Sequence, residues 1–187
     1  MLDKIVRQAF HNTVLKSAHS DLRTIVIDEL GLRNGGVRAD IAVVNGRLVG
    51  YEIKTEKDTL VRLPLQIQAY SEVFEKAFII LSDKHLEKAS AILPDWWGIY
   101  KIKKKTDGGF TFSCIRNSRI NRHQNTFTLA QLLWKREALD IANSVFGNHV
   151  NSTFTKQAIY QLLSKSFSQK RMSKFVIQYL KQRNNWR

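Results

Sequence analysis

Two short apolar runs, Ile41 to Val44 and Leu48 to Ile53, meet at Asn45-Gly46, and this junction constrains the fold more than any other stretch of the chain. Asn-Gly between such runs is the strongest short-range hairpin signal, because a tight turn requires the left-handed backbone that glycine accepts. An acid, Asp40, heads the first run, and Glu52-Ile53-Lys54 closes the second. Strand parity decides whether these charges meet. A two-residue turn would pair Val44 with Arg47 and turn Asp40 and Glu52 to opposite faces. A three-residue Val44-Asn45-Gly46 loop, with Gly46 left-handed in a bulge, pairs Asp40 with Gly50 and puts Asp40, Glu52 and Lys54 on one face. That arrangement, or another odd offset, is expected, since an acid late in an apolar strand needs a partner.

Around the hairpin, an amphipathic helix is expected over residues 3–18, and Thr24 to Ile27 reads as a strand ending at Asp28-Glu29 and a loop with Gly31, Gly35 and Gly36. Pro64 suits the first turn of a helix that carries Leu65, Ile67, Tyr70 and Phe74 to Lys76. Ala77 to Leu81 is a buried strand, Asp83 to Leu93 a helix, and Ile99 to Ile102 with Phe110 to Ile115 a second hairpin. Such alternation implies an α/β fold, a mixed sheet flanked by helices. Beyond Arg116 the pattern is helical: Thr128 to Phe146, Thr155 to Phe167, and Ser168 to about Gln182. The expected division is a core at 1–116, a polar linker at 117–127 and a basic all-helical subdomain at 128–187.

Charge is divided unevenly. Residues 1–100 carry 13 Lys and Arg against 13 Asp and Glu, whereas residues 101–187 carry 17 against 3 and account for the whole net charge of +14. A balanced chemistry module followed by a docking surface for a polyanion fits that asymmetry. Cys114 is the only cysteine, read as an ordinary strand residue, so no intrachain disulfide forms. The longest purely apolar run, Ala77 to Leu81, is far shorter than the roughly 20 residues of a membrane span, and a cytosolic protein is expected.

Two carboxylates sharing a hard cation, with an ammonium one pleat away, are what metal-assisted phosphodiester hydrolysis needs. Mg²⁺ prefers oxygen ligands and keeps several waters, so Asp40, Glu52 and the Ile53 carbonyl would make an open site, with Mn²⁺ able to substitute. Lys54 would position or deprotonate the attacking water. Gln66 and Tyr70 lie on one helical face after the triplet.

The run Arg38-Ala39-Asp40, then Glu52-Ile53-Lys54, then Gln66-x-x-x-Tyr70, resembles the PD-(D/E)xK nuclease superfamily. More narrowly, the chain resembles a group of short bacterial proteins of that superfamily. They run from an Asp-Glu-Leu-Gly-Leu segment, here Asp28 to Leu32, to a Pro-Asp-Trp-Trp-Gly segment, here Pro94 to Gly98, with a weaker likeness reaching Trp186-Arg187. The resemblance covers about residues 20–100 and implies a restriction-endonuclease-like sheet with Mg²⁺ on Asp40 and Glu52. It also implies that Lys54 aligns or activates the water, and that Gln66 and Tyr70 form the extra motif of the RecB-like exonuclease branch. A third acid on a separate element is implied as well, and Glu29 and its neighbour Asp28 compete for that role, with a loop-capping or solvated carboxylate as the plainer reading. DNA is the implied substrate. The usual proline before the first acid is Ala39 here.

Each residue has a plainer reading. Asp40 could pair with Arg38, Tyr70 could simply pack on the sheet, and Lys57 and Arg62 could be solvated rather than phosphate-bound. Lys103, Lys104 and Lys105, with Lys170, Arg171 and Lys174 on the last helix, are the candidates for nucleic-acid backbone contacts, or else a soluble basic surface. Arg38 joins that group at the site. Trp96 and Trp97 are expected to pack against the sheet rather than stack on bases. The five histidines, His11, His19, His85, His123 and His149, show no ligand spacing, so no zinc site is expected.

Overall fold

A computed structural model describes residues 2–147, 150 and 153–183, so His149 and the Trp186-Arg187 end lie outside the described residues. The elements are α1 (Leu2–Asn12), α2 (Lys16–Ser20), β1 (Ile25–Leu32), β2 (Val37–Val44), β3 (Leu48–Lys54), α3 (Leu63–Val73), β4 (Lys76–Leu81) and α4 (Asp83–Ile92). They continue as β5 (Gly98–Lys104), β6 (Phe110–Arg116), α5 (Thr126–Ala130), α6 (Lys135–Phe146), α7 (Lys156–Ser166) and α8 (Gln169–Gln182). The six strands form one mixed sheet in chain order. β1, β2 and β3 meander antiparallel, β3, β4 and β5 run parallel through α3 and α4, and β6 returns antiparallel.

The sheet separates two cores. On one face Val6 and Phe10 of α1 cover Ile41, Val43, Ile53 and Ile80, and the Phe10 ring lies 5.1–5.5 Å from Tyr51, Tyr100 and Phe112. On the other, α3 and α4 cover Ala42, Val44, Ile79 and Leu81, and the C-terminal helices join the same apolar cluster through Leu129, Ile141, Leu163 and Val176. Gly50 sets the spacing of α3. A Cβ there would fall 2.6 Å from the Phe74 ring, so only glycine lets the helix end lie this close to β3.

The β2–β3 loop is Asn45-Gly46-Arg47, with Gly46 at φ 66° and Val44 paired with Leu48. The three-residue length expected for this loop is present. The loop sits one residue later than expected, however: Gly50 faces Ala42 rather than Asp40, and the β2–β3 ladder ends at Ile41 opposite Tyr51, one residue short of Asp40. β1 runs on to Leu32 and includes Gly31, because Asp28 pairs with Ile41 and Leu30 with Ala39. Between those pairs Glu29 adopts φ 55°, a costly left-handed conformation for a side chain of its size. Opposite it, alternation along β2 slips. Val37 and Ala39 belong to the α3-side core, as do Ala42 and Val44, while Ile41 and Val43 face α1.

Two expected helices are broken. The opening one stops at Asn12, where Thr13 and Leu15 both donate to the Phe10 carbonyl, and resumes as α2. The expected 128–146 helix is α5 and α6. Its break at residues 131–134 ends on an extended Trp134, whose N–H donates to Glu137 Oε2 at 2.7 Å. The polar segment after β6 is tied down rather than slack. Arg119 N–H donates to the Trp96 carbonyl and Asn125 N–H to Glu72, while Asn121 donates from its backbone to Glu75 and from its side chain to Ser71 and Phe74. No helix among the described residues is long and apolar enough to cross a membrane.

Candidate functional site

The C-terminal end of β3 carries two charged side chains that the apolar strand buries, Glu52 at 1% and Lys54 at 5% exposure. Burial of charge on this scale is tolerated only where each group is paired. Glu52 Oε1 accepts from Lys54 Nζ at 2.6 Å and from Gln66 Nε2 at 2.5 Å, and Oε2 accepts from the Tyr70 hydroxyl at 2.8 Å. Gln66 and Tyr70 reach it together because they sit one turn apart on α3, started by Pro64 and pressed onto the sheet over Gly50. Tyr70 also packs 5.1 Å from the buried Trp97 ring, which fulfils the packing role expected for that tryptophan; Trp96, 5.6 Å from Trp97, is half-buried. The Gln66 side-chain oxygen is buried with no partner among the described residues.

Asp40 lies where β2 slips, and its carboxylate points at the edge of β3. Oδ2 accepts the Ile53 N–H at 2.7 Å. A strand residue's N–H and C=O share one edge, so the Ile53 carbonyl faces the same side. The other oxygen, Oδ1, lies 3.5 Å from Arg7 Nη2. Burial, and next the like charge of Glu52, push the Asp40 carboxyl up to about 8, against the pull of the Ile53 hydrogen bond and Lys54. Burial likewise raises Glu52, opposed by Lys54 and by its hydrogen bonds from Tyr70 and Gln66.

Glu29 and Asp28 part ways at the left-handed residue. Glu29 Oε1 lies 2.5 Å from Arg7 Nη2 and the side chain lines the cleft, whereas Asp28 turns away to His11. One cleft residue, Asp3, and one residue behind the cleft acids, Arg7, have no signal in the sequence near the hairpin. Asp3 and Arg7 arrive from α1, where they look like an ordinary surface pair four residues apart. Only the packing of α1 across the sheet brings Arg7 between Asp3, Glu29 and Asp40. The cleft itself is about 460 Å³, and Arg38, Arg62, Leu65 and Asp58 complete its rim. Arg38 extends 4.0 Å from Glu29 rather than pairing with Asp40.

The basic residues expected to meet nucleic acid fall at two ends of the sheet. Lys57 is exposed on the loop after β3, and Lys103, Lys104 and Lys105 are exposed at the tip of β5. That tip is at the same end as Lys54, because Lys54 pairs with Leu81 and Leu81 with Lys101. Lys170 and Lys174 instead flank Gly46 and Arg47 at the opposite end, and the Arg171 guanidinium lies over Phe167 and Phe175 at 4.9 and 5.7 Å.

Among the described residues no group of three or more His, Cys, Asp or Glu side chains is placed to hold a metal ion. The donor set at the cleft is two carboxylates and a backbone carbonyl, all hard oxygen ligands of the kind Mg²⁺ and Mn²⁺ take with water filling the remaining positions. The raised carboxyl of Asp40 and the orphaned oxygen of Gln66 fit such an ion and its waters. An ion placed there would compete with Lys54 for Glu52 and with Arg7 for Asp40.

No solved structure matches the chain at a significant level. Protein cII of Enterobacteria phage P4 is 28% identical over 158 residues, which are 84% of this chain and 59% of that relative. The chain therefore spans about three fifths of the length of the curated relative it matches. The family described as Bacteriophage P4 protein cII is matched over residues 3–186, and the chain belongs to that family.

Proposed function

We propose that this cleft hydrolyses phosphodiester bonds of DNA with Mg²⁺ held by Asp40, Glu52 and the Ile53 carbonyl, as in PD-(D/E)xK nucleases with their restriction-endonuclease-like sheet. The observation that supports it most is the Asp40–Ile53 hydrogen bond of 2.7 Å, which aims one carboxylate at the strand end bearing the other. Bound there, Mg²⁺ supplies an acidified water and neutralises charge on the phosphate. Every other requirement falls to the chain. Lys54 Nζ, 2.6 Å from Glu52, positions a donor for the water or a phosphate oxygen. The unpartnered Gln66 oxygen accepts from the water and fixes its orientation. Tyr70 locks the rotamer of Glu52. Glu29 keeps Arg7 at the rim, and Arg62, Arg38 and Lys103 to Lys105, all at this end of the sheet, hold flanking phosphates.

A second reading, a nucleic-acid-binding adaptor that does not cleave, is favoured by one feature. Glu52 already accepts three hydrogen bonds within the protein, as a purely structural buried carboxylate would. Membership of the phage P4 cII family supports a phage or mobile-element setting for either reading.

Cleavage of linear, nicked, branched and single-stranded DNA in Mg²⁺ or Mn²⁺ tests the proposal, with Asp40→Ala and Lys54→Ala as controls and circular dichroism to check their folding. Cleavage lost in a folded Asp40→Ala protein is the expected result. Tight binding with no substrate cut overturns it in favour of the adaptor.

A further inference from the structure

The break between α1 and α2 folds two histidines, eight residues apart in sequence, onto each other. His11 Nδ1 lies 2.9 Å from His19 Nε2, and His11 Nε2 lies 3.0 Å from Asp28 Oδ1. A carboxylate oxygen only accepts, so His11 Nε2 carries the proton, and His11 Nδ1 accepts the N–H of His19 Nε2, a proton that a metal ion between the two nitrogens would displace. A carboxylate that receives the far N–H of an imidazole, fixing its tautomer and ring orientation, is the usual outer partner of a metal-bound histidine. The pair forms part of the wall of an open cleft of about 770 Å³ with Gln8, Asn12, Lys16 and Ser20, which leaves room for waters or another ligand beside the Lys16 ammonium.

We propose that His11 and His19 hold a borderline divalent ion, Zn²⁺ above all, with Asp28 orienting His11 from behind. Imidazole nitrogens suit Zn²⁺, Ni²⁺ and Co²⁺, whereas Mg²⁺ takes oxygen donors, so this site and the carboxylate cleft select different ions. Tetrahedral Zn²⁺ with bonds of about 2.0–2.1 Å spaces two nitrogens by about 3.3 Å, a few tenths beyond the observed separation. The ion closes the α1–α2 corner over β1, one residue from Glu29. The histidine site stands independently of the nuclease reading.

Isothermal titration of the untagged full chain with ZnCl₂ tests it, comparing wild type with His19→Asn, Asp28→Asn and Asp40→Ala. His19 is exposed, so its replacement leaves the fold intact. One Zn²⁺ per chain is expected in wild type and in Asp40→Ala. Stoichiometric binding is lost in His19→Asn and weakened about 10- to 100-fold in Asp28→Asn. A Co²⁺ visible spectrum with nitrogen ligation, absent in His19→Asn, is the second readout. Equal affinity in wild type and His19→Asn, no uptake by wild type, or loss in Asp40→Ala alone overturns the proposal.

Discussion

The carboxylate of Asp40 accepts the backbone N–H of Ile53 at 2.7 Å, taking the place of a strand partner where β2 slips away from β3. One oxygen is thereby anchored, and the other is left beside Arg7 in a cleft that already contains Glu52.

Protonation of Asp40 makes stability depend on pH. Its folded carboxyl titrates near 8 against an ordinary 3.8, so between those values the unfolded chain releases a proton that the folded chain keeps. Stability is therefore expected to fall as pH rises from about 4 to 8, by at most about 1.4 kcal/mol per unit from this group. Thermal melts of Asp40→Asn lack that component. If the proposed site holds Mg²⁺, which prefers the ionised form, added Mg²⁺ is expected to raise the wild-type midpoint increasingly toward pH 8. A wild-type profile parallel to that of Asp40→Asn would contradict the assignment.

Lys54 and Glu52 are buried together and depend on each other. Lys54→Met strands the carboxylate and is expected to cost about 3–5 kcal/mol in urea denaturation. Lys54→Met combined with Glu52→Gln is expected to cost clearly less than the two single changes added together. Additive losses would mean that the pair is not coupled.

Arg7 stands among Asp3, Glu29 and Asp40 as a resident cation. Arg7→Gln removes a competitor for the carboxylates, so Mn²⁺ affinity without DNA, read by paramagnetic resonance, is expected to rise several-fold. Cleavage of DNA is expected to fall in the same variant. Weaker Mn²⁺ binding would show instead that Arg7 supports the site geometry.

Lys103, Lys104 and Lys105 share an end of the sheet with the cleft, while Lys170 and Lys174 do not. Replacing the first three by Gln is expected to lower the slope of log affinity for DNA against log salt by roughly 0.9 for each phosphate that is no longer neutralised. Cleavage falls with it. Lys170→Gln with Lys174→Gln leaves cleavage of short duplexes unchanged, because a short DNA seated at the cleft does not reach the β2–β3 turn.

The mixed sheet, its hairpins and the face shared by Gln66 and Tyr70 were legible from apolar periodicity, turn residues and helical spacing, all of which act between near neighbours. The expected loop was one residue early, since parity restricts the offset to alternate values and does not choose among them. The helix breaks at Thr13 and Gln131 leave no mark in the sequence, because the apolar pattern continues through both.

Local pattern thus settled the strands and their order, and it placed Asp40 and Glu52 on the two arms of one hairpin. Packing at a distance settled the rest: Arg7, 33 residues from Asp40, reaches that carboxylate only because Phe10 anchors α1 across the sheet. The same folding joins His11 to His19, turns Glu29 inward and Asp28 outward, and sends the basic residues to opposite ends of the sheet. Such placements depend on how separate apolar faces are buried against one another, and that is a property of the assembled core rather than of any window of sequence.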